Sequence, residues 1–331
     1  MSLAVRFDRI GGPEVLRLEE VKVPAPGKGE VRIRARALGL NRAEVMFRTR
    51  TYVYDPIFPS GIGYEVAGEV EALGPQVEGL AVGDAVSVVP SFTMTDYPVH
   101  GELVLAPAHA VVKHPETLSW EEAASVWMAF ITAYGALIDL ADLQVGEAVL
   151  IPGASSSVGL AAIQIARSVG ARPIALTRTS AKKQRLLDAG AEAVIATEEE
   201  DTAARVHELT DSLGARLVFD PVIGPSLDYL ATATAPQGMI VLYGALSNEP
   251  APLPLGQLLS KHLTIRGYEL FELTMDEERR NAAIEFVLDG LRRGVLTPVV
   301  DRVFPLAEIT EAHRYMESSA QVGKIVLSVA D

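Results

Sequence analysis

The spacing of hydrophobic residues changes partway along the chain, and the change separates two kinds of structure. Residues Glu30-Val31-Arg32-Ile33-Arg34-Ala35-Arg36-Ala37 alternate charged and apolar side chains, the period-2 pattern of a strand with one buried face. Turn signals crowd the same region: Gly11-Gly12-Pro13, Pro24-Ala25-Pro26-Gly27, Gly61-Ile62-Gly63, Gly74-Pro75 and Gly83-Asp84. Short strands so punctuated, with 84–89 and 104–107 among them, predict a mostly antiparallel, barrel-type domain. Helical texture starts at Ser119-Trp120-Glu121-Glu122, a capping box with serine as N-cap. From there short apolar strands (149–151, 173–177, 192–195, 216–220 and 238–244) alternate with helical patterns. One helix ends near Gly170, and others lie around 181–190, 202–213 and 225–234. This alternation predicts a parallel sheet covered on both faces and wound with right-handed crossovers, a Rossmann-type doubly wound sheet. A last helix around 276–293 precedes two strand-like runs, 299–306 and 323–329, expected to rejoin the first domain. The expected division is a catalytic domain over 1–120, rejoined by 295–331. A nucleotide-binding domain over 121–294 is inserted into it, and the substrate cleft is expected between the two.

The first strand of the predicted sheet runs into a turn of small residues, Pro152-Gly153-Ala154-Ser155-Ser156-Ser157-Val158-Gly159. An apolar helix follows, with Ala161, Ala162, Ile163, Ile165, Ala166 and Val169 on its inward stripe. Such a strand–turn–helix unit aims backbone N–H groups at a pyrophosphate. Small residues serve the sharp turn and let a phosphate approach the backbone. Gly153, Ser155, Ser156, Ser157, Val158 and Gly159 are therefore candidate cofactor contacts. The tip of the second strand selects the dinucleotide, because an NAD site places an acidic residue there for the ribose 2′-hydroxyl. Here the tip is Thr177-Arg178-Thr179-Ser180 followed by Lys182 and Lys183, with no carboxylate in sequence until Asp188. Cations and hydroxyls suit the 2′-phosphate of NADP(H) instead. Positive charge at a helix start opposes the helix dipole, so an anionic partner is expected there.

At 331 residues and 49% hydrophobic, the chain is long and apolar enough for two cores. A net charge of −14 and a pI near 5.0 argue against nucleic acid or an anionic membrane as a main partner. No N-terminal signal and no apolar run of transmembrane length is expected, and the location is expected to be cytoplasmic. The chain has no cysteine, so disulfides and thiolate metal sites are excluded.

Several motifs together give the chain a family likeness. They are Pro24-Ala25-Pro26-Gly27, Gly39-Leu40-Asn41-Arg42-Ala43-Glu44, Pro59-Ser60-Gly61-Ile62-Gly63-Tyr64-Glu65-Val66-Ala67-Gly68, Gly83-Asp84, the turn at 153–159 and the ending Gly323-Lys324-Ile325-Val326. With these motifs the whole chain resembles the medium-chain dehydrogenase/reductase superfamily, and within it the zinc-free quinone oxidoreductase (zeta-crystallin-like) branch. The resemblance implies an α/β protein: a GroES-like barrel-type catalytic domain plus the inserted Rossmann-type sheet, assembled as a homodimer. Zinc-dependent relatives carry Gly-His-Glu where this chain has Gly63-Tyr64-Glu65. Tyr64 therefore replaces a zinc ligand, its ring is expected to fill the vacated space, and no catalytic zinc is expected. The branch usually has glycine at the position of Ser156, whose hydroxyl is expected to donate to a phosphate oxygen.

By the same resemblance Asn41 begins a cleft-lining helix. Its amide is either a donor to the acceptor oxygen or a helix cap, which Asn-Arg-Ala-Glu suits equally. Tyr52 matches a cleft tyrosine, with a surface-loop aromatic as the other reading. Thr132 matches a nicotinamide-contacting threonine, unless its hydroxyl bonds back to its own helix. Gly244, Ala245 and Phe271 stand where relatives approach the nicotinamide amide, although Phe271 suits a core equally. Lys324, a strand lysine, is expected to be solvated. The sequence shows no buried acid–base constellation. Without a Lewis acid, hydride delivery to an electron-poor acceptor remains feasible. The expected activity is NADPH-dependent reduction of a quinone or an α,β-unsaturated carbonyl. A zinc-independent alcohol or carbonyl dehydrogenase and a non-enzymatic NADPH-binding structural or regulatory protein are the alternatives.

Overall fold

The computed structural model describes residues 1–330. The chain divides into two compact units: Met1–Met128 with the residues from Pro298 onward, and Ala129–Thr297. The first unit begins with β1 (Ser2–Arg6) and β2 (Arg17–Val21), an antiparallel pair. Next come β3 (Glu30–Gly39), α1 (Arg42–Thr49), β4 (Glu65–Leu73), β5 (Ala85–Val88), β6 (Leu103–Pro107), β7 (Val111–Lys113) and α2 (Trp120–Ala123). In β3 the period-2 pattern acts as its chemistry requires: Val31, Ile33, Ala35 and Ala37 are buried. The guanidinium groups of Arg32 and Arg36 pair outside the core with Glu71 and Glu69 on the neighbouring β4. The capping box of α2 is present in full, with Ser119 Oγ accepting from Glu122 N at 3.2 Å and Glu122 from Ser119 N at 2.8 Å.

Helix α3 (Trp127–Tyr134) leads into the second unit: β8 (Ala148–Ile151), α4 (Ser157–Ser168), β9 (Arg172–Thr177), α5 (Lys183–Asp188), β10 (Ala193–Ala196), α6 (Thr202–Leu209), β11 (Ala215–Asp220), α7 (Ser226–Ala233), β12 (Thr234–Leu242), α8 (Leu255–Lys261), β13 (Thr264–Gly267), α9 (Phe271–Thr274) and α10 (Glu277–Arg292). The strands form one parallel sheet in the order β10-β9-β8-β11-β12-β13. Numbered within the sheet this is 3-2-1-4-5-6, the dinucleotide-binding order, which reverses direction between β8 and β11. On one face Leu150, Ile174, Ile195, Val218 and Ile240 pack with Val206 of α6 and Leu227 and Leu230 of α7. The sheet has one strand more than the five the hydrophobic pattern predicts. β13 reads Thr264-Ile265-Arg266-Gly267 and lies at the sheet edge, so it carries too little apolar character to register.

The chain returns to the first unit through β14 (Val300–Pro305), α11 (Ile309–Glu317) and β15 (Lys324–Ser328). β15 pairs antiparallel with β3 and parallel with β14, completing the sheet β14-β15-β3-β4-β5-β7, with β6 also on β3. The expectation of no apolar run of transmembrane length is corrected. The stretch Trp120–Leu140 is 21 residues long and holds an 18-residue window of mean hydropathy 1.5, 78% of which is buried inside the protein. A helix mostly buried in a protein core is apolar on most of its faces, and so resembles a membrane span in composition.

Candidate active site

β8 ends at Ile151, and the turn after it contains one position that only glycine occupies without strain: Gly153, at φ +60°. A second glycine is needed for closeness. A Cβ on Gly159 would lie 2.6 Å from the Cα and carbonyl oxygen of Ala154. Ser156 needs no such freedom, because its φ of −71° and ψ of 161° are open to any residue. It is the N-cap of α4, its Oγ accepting from Gly159 N at 3.0 Å. Its hydroxyl also faces the buried Tyr243 hydroxyl, which it draws down against the rise that burial causes. As first-turn residues, Ser157 and Val158 have N–H groups with no acceptor inside the helix. Pro221, just beyond β11, closes the same place from across the sheet. A Cβ at Gly153 would lie 3.2 Å from its Cγ, and one at Gly244 would lie 2.7 Å from its carbonyl oxygen. Ala245 is exposed beside Gly244. The loop after β11 is held by the buried Asp220 carboxylate, which accepts from Val222 N at 2.8 Å and Ile223 N at 3.1 Å. Burial pushes Asp220 above the usual carboxylate range against the pull of those bonds.

Gly159→Ala is expected to lower stability by about 1–3 kcal/mol, although alanine is the better helix former by about 1 kcal/mol. The added methyl meets backbone rather than a flexible side chain, so the turn itself must shift. Urea unfolding checks this; a variant as stable as the parent would show that the turn adjusts freely.

At the tip of β9, Thr177 is half-buried, and Arg178, Thr179 and Ser180 are exposed. Lys182 Nζ donates to Ser155 Oγ at 3.3 Å, linking the tip to the turn after β8. The Arg178 side chain makes no hydrogen bond or ion pair among the described residues. One expectation is corrected here. The tip does have a carboxylate, contributed by the acidic stretch after β10: Glu199 Oε1 accepts from Ser180 N at 2.9 Å and from Ser180 Oγ at 3.3 Å. The anionic partner expected for this basic stretch is thus met in part from within the chain. It stands 19 residues from Ser180, beyond any local reading.

The first unit holds a buried polar cluster that the sequence did not disclose. Asn41 is the N-cap of α1, with Glu44 three residues on completing the capping box. The Asn41 amide nitrogen donates to Glu65 Oε2 at 3.0 Å, Glu44 Oε1 at 3.1 Å and the Gly39 carbonyl at 3.3 Å. Its Oδ1 accepts from Lys324 Nζ at 2.6 Å. Lys324, expected to be solvated, is 1% exposed and paired with Glu65, whose other oxygen accepts from Met128 N at 2.9 Å. The reason is its strand: β15 is covered on both faces, and its one cation finds a carboxylate on β4. The absence of a buried acid–base group is corrected with it. Burial pushes Glu44 up to about 8, only partly offset by the bonds from Asn41. His100, bonded through Nε2 to the Gly39 carbonyl at 3.3 Å, is brought down to about 4 by burial. Glu44 was legible as a cap and Glu65 as part of the Gly-Tyr-Glu motif. Their burial with Lys324 depends on pairings across 259 and more residues.

Tyr64 is fully buried in a row of rings, 6.3 Å from Tyr52 and 6.1 Å from Phe92 between centroids. Burial raises its hydroxyl far above the ordinary range, and Tyr52 adds to the shift. Tyr52 itself is half-buried at the start of a loop that leaves Val53 62% and Ile57 70% exposed. Thr132 in α3 and Phe271 at the start of α9 are each 6% exposed. Among the described residues no group of three histidine or carboxylate side chains is arranged to hold a metal ion.

A parallel sheet in dinucleotide-binding order, with its small-residue turn at the switch point, and a barrel-type unit rejoined by the C-terminal strands define a medium-chain dehydrogenase/reductase. Residues 27–116 match the family described as Alcohol dehydrogenase GroES-like domain, and residues 157–289 match Zinc-binding dehydrogenase. Human quinone oxidoreductase is 32% identical over 98% of this chain and 97% of its own length. Among solved structures, Escherichia coli quinone oxidoreductase complexed with NADPH superposes with a TM-score of 0.90 at 29% identity, covering 98% of this chain and 99% of that one. A mycobacterial protein complexed with NADPH gives a TM-score of 0.90 at 32% identity, covering 99% and 100%. The chain belongs to the quinone oxidoreductase family of this superfamily.

Proposed function

We propose that this protein reduces quinones or α,β-unsaturated carbonyls with NADPH, without a metal ion. The observation that carries the reading is the turn at 153–159 joined through Lys182 to the β9 tip. One place offers a tight turn that Gly153 and Gly159 allow, two first-turn N–H groups and an exposed, unpaired Arg178. Those residues fit a dinucleotide carrying a 2′-phosphate. Ser155, Ser156, Ser157 and Val158 would hold the pyrophosphate, and Thr177, Arg178, Thr179 and Lys182 the 2′-phosphate. When bound, NADPH supplies the hydride. Thr132, Gly244, Ala245 and Phe271 would bound the nicotinamide end. Tyr52 is the proposed donor to the acceptor oxygen. Asn41 is proposed to act beside it as a fixed element, since both ends of its amide are engaged inside the protein. Tyr64 would hold the Tyr52 ring in place. The exposed Val53, Ile57 and Phe58 near Tyr52 in sequence favour an apolar acceptor. We also propose a cytoplasmic homodimer with no nucleic-acid or membrane partner. A net charge of −14 repels phosphate polymers, and β13 leaves one edge of the sheet for pairing with a second copy.

The test follows loss of the NADPH absorbance band with a panel of quinones and enones, with and without chelator. Turnover with either class, unchanged by chelator, is expected. No oxidation with any acceptor, or complete loss on chelation, would overturn the proposal. Arg178→Ala is expected to weaken NADPH binding by about tenfold or more, as loss of a charged hydrogen bond does, with little change for NADH. Calorimetric titration of both cofactors checks it, and equal losses would remove Arg178 from the 2′-phosphate contacts.

A further inference from the structure

We propose that Glu199 sets the cofactor preference by holding, with its own carboxylate, donors that a 2′-phosphate would use. This rests on the NADPH reading above. Ser180 offers two hydrogen-bond donors at the β9 tip, its N–H and its hydroxyl, and both point to one oxygen of Glu199, at 2.9 and 3.3 Å. The contact is built by the backbone: Glu198 N donates to the Arg178 carbonyl at 2.9 Å, which lays the stretch after β10 alongside the tip. Glu199 is exposed, and its carboxylate meets the N–H of Ser180, the first residue of the helical turn Ser180–Lys182 that leads into α5. Its carboxylate is thus fixed at Ser180 as an internal anion, two residues along the chain from Arg178.

Two consequences follow for a dinucleotide. A 2′-phosphate arriving beside Arg178 meets a like charge and must displace the carboxylate to use Ser180. A 2′-hydroxyl does neither, because it can donate to a carboxylate. Glu199 thereby lowers the advantage that the cations give NADPH and keeps NADH usable. Selectivity here is a difference of affinities set by a repulsive group as well as attractive ones.

The experiment measures dissociation constants of NADPH and NADH by calorimetry for the full-length parent, Glu199→Gln and Glu199→Asp. Glutamine keeps an acceptor for Ser180 and removes the charge. NADPH is expected to bind at least about fivefold more tightly to Glu199→Gln, the scale of one exposed charge contact, with NADH unchanged or weakened. Aspartate keeps the charge on a shorter arm, so its gain for NADPH should be the smaller of the two. An unchanged NADPH-to-NADH ratio in Glu199→Gln, or weaker NADPH binding, would overturn the role of Glu199. A parent protein that binds neither dinucleotide would instead overturn the proposed function.

Discussion

Lys324→Met is expected to destabilise the protein by about 3–5 kcal/mol, the cost of breaking a buried ion pair from one side. Methionine fills similar space, so packing is largely kept and the charge is the main loss. Lys324 is 1% exposed and serves two acceptors, Glu65 and Asn41 Oδ1. Without it the Glu65 carboxylate stays buried beside Glu44, facing only the donors Asn41 Nδ2 and Met128 N. Urea unfolding of the single variant and of Lys324→Met/Glu65→Gln separates charge from packing. The double variant should regain a substantial part of the loss, since an uncharged pair removes the uncompensated carboxylate. A double variant no better than the single would show that the lysine acts through packing alone.

Stability should also fall as pH rises from 6.5 to 8, by about 1.4 kcal/mol per pH unit from one group, and Glu44→Gln should remove that slope. The sign follows from burial. Glu44 is raised from an ordinary 4.5 to about 8. Its protonated form is thus favoured in the folded protein, and its contribution is complete below 4.5 and lost as pH climbs through 8. His100 runs the other way. It is lowered from 6.5 to about 4, so its contribution is present above 6.5 and lost as pH falls toward 4. His313, buried on α11, is lowered too and has the same sign. Below 6.5 the histidines oppose Glu44; above 6.5 Glu44 acts without them. Glutamine can keep the capping bond to Asn41 N without titrating. Parallel pH profiles for the parent and Glu44→Gln would mean that Glu44 keeps one protonation state throughout.

The two corrected residues show where a linear reading stops. Lys324 sits in Gly-Lys-Ile-Val, where one cation in a strand reads as solvated. Only the pairing of β15 with β3, and of β3 with β4, brings it to Glu65. Glu199 lies in the acidic stretch after β10, and its meeting with Ser180 follows from β10 lying beside β9. Ser156 shows the converse. It departs from the glycine usual in the family, yet its backbone is extended and its hydroxyl caps α4, so the departure costs the turn nothing.

Period and punctuation along the chain were enough to establish the alternating strands and helices of the nucleotide-binding sheet, the capped start of α2, and the small-residue turn at 153–159. Each of these depends on neighbours a few residues apart, where side-chain size and hydrogen bonding act locally. Which charges share a buried cluster, which carboxylate meets the β9 tip, and where β13 joins the sheet were decided only by the tertiary structure. Those contacts join residues brought together by strand pairing, and their energies come from burial and proximity, which composition and spacing do not encode.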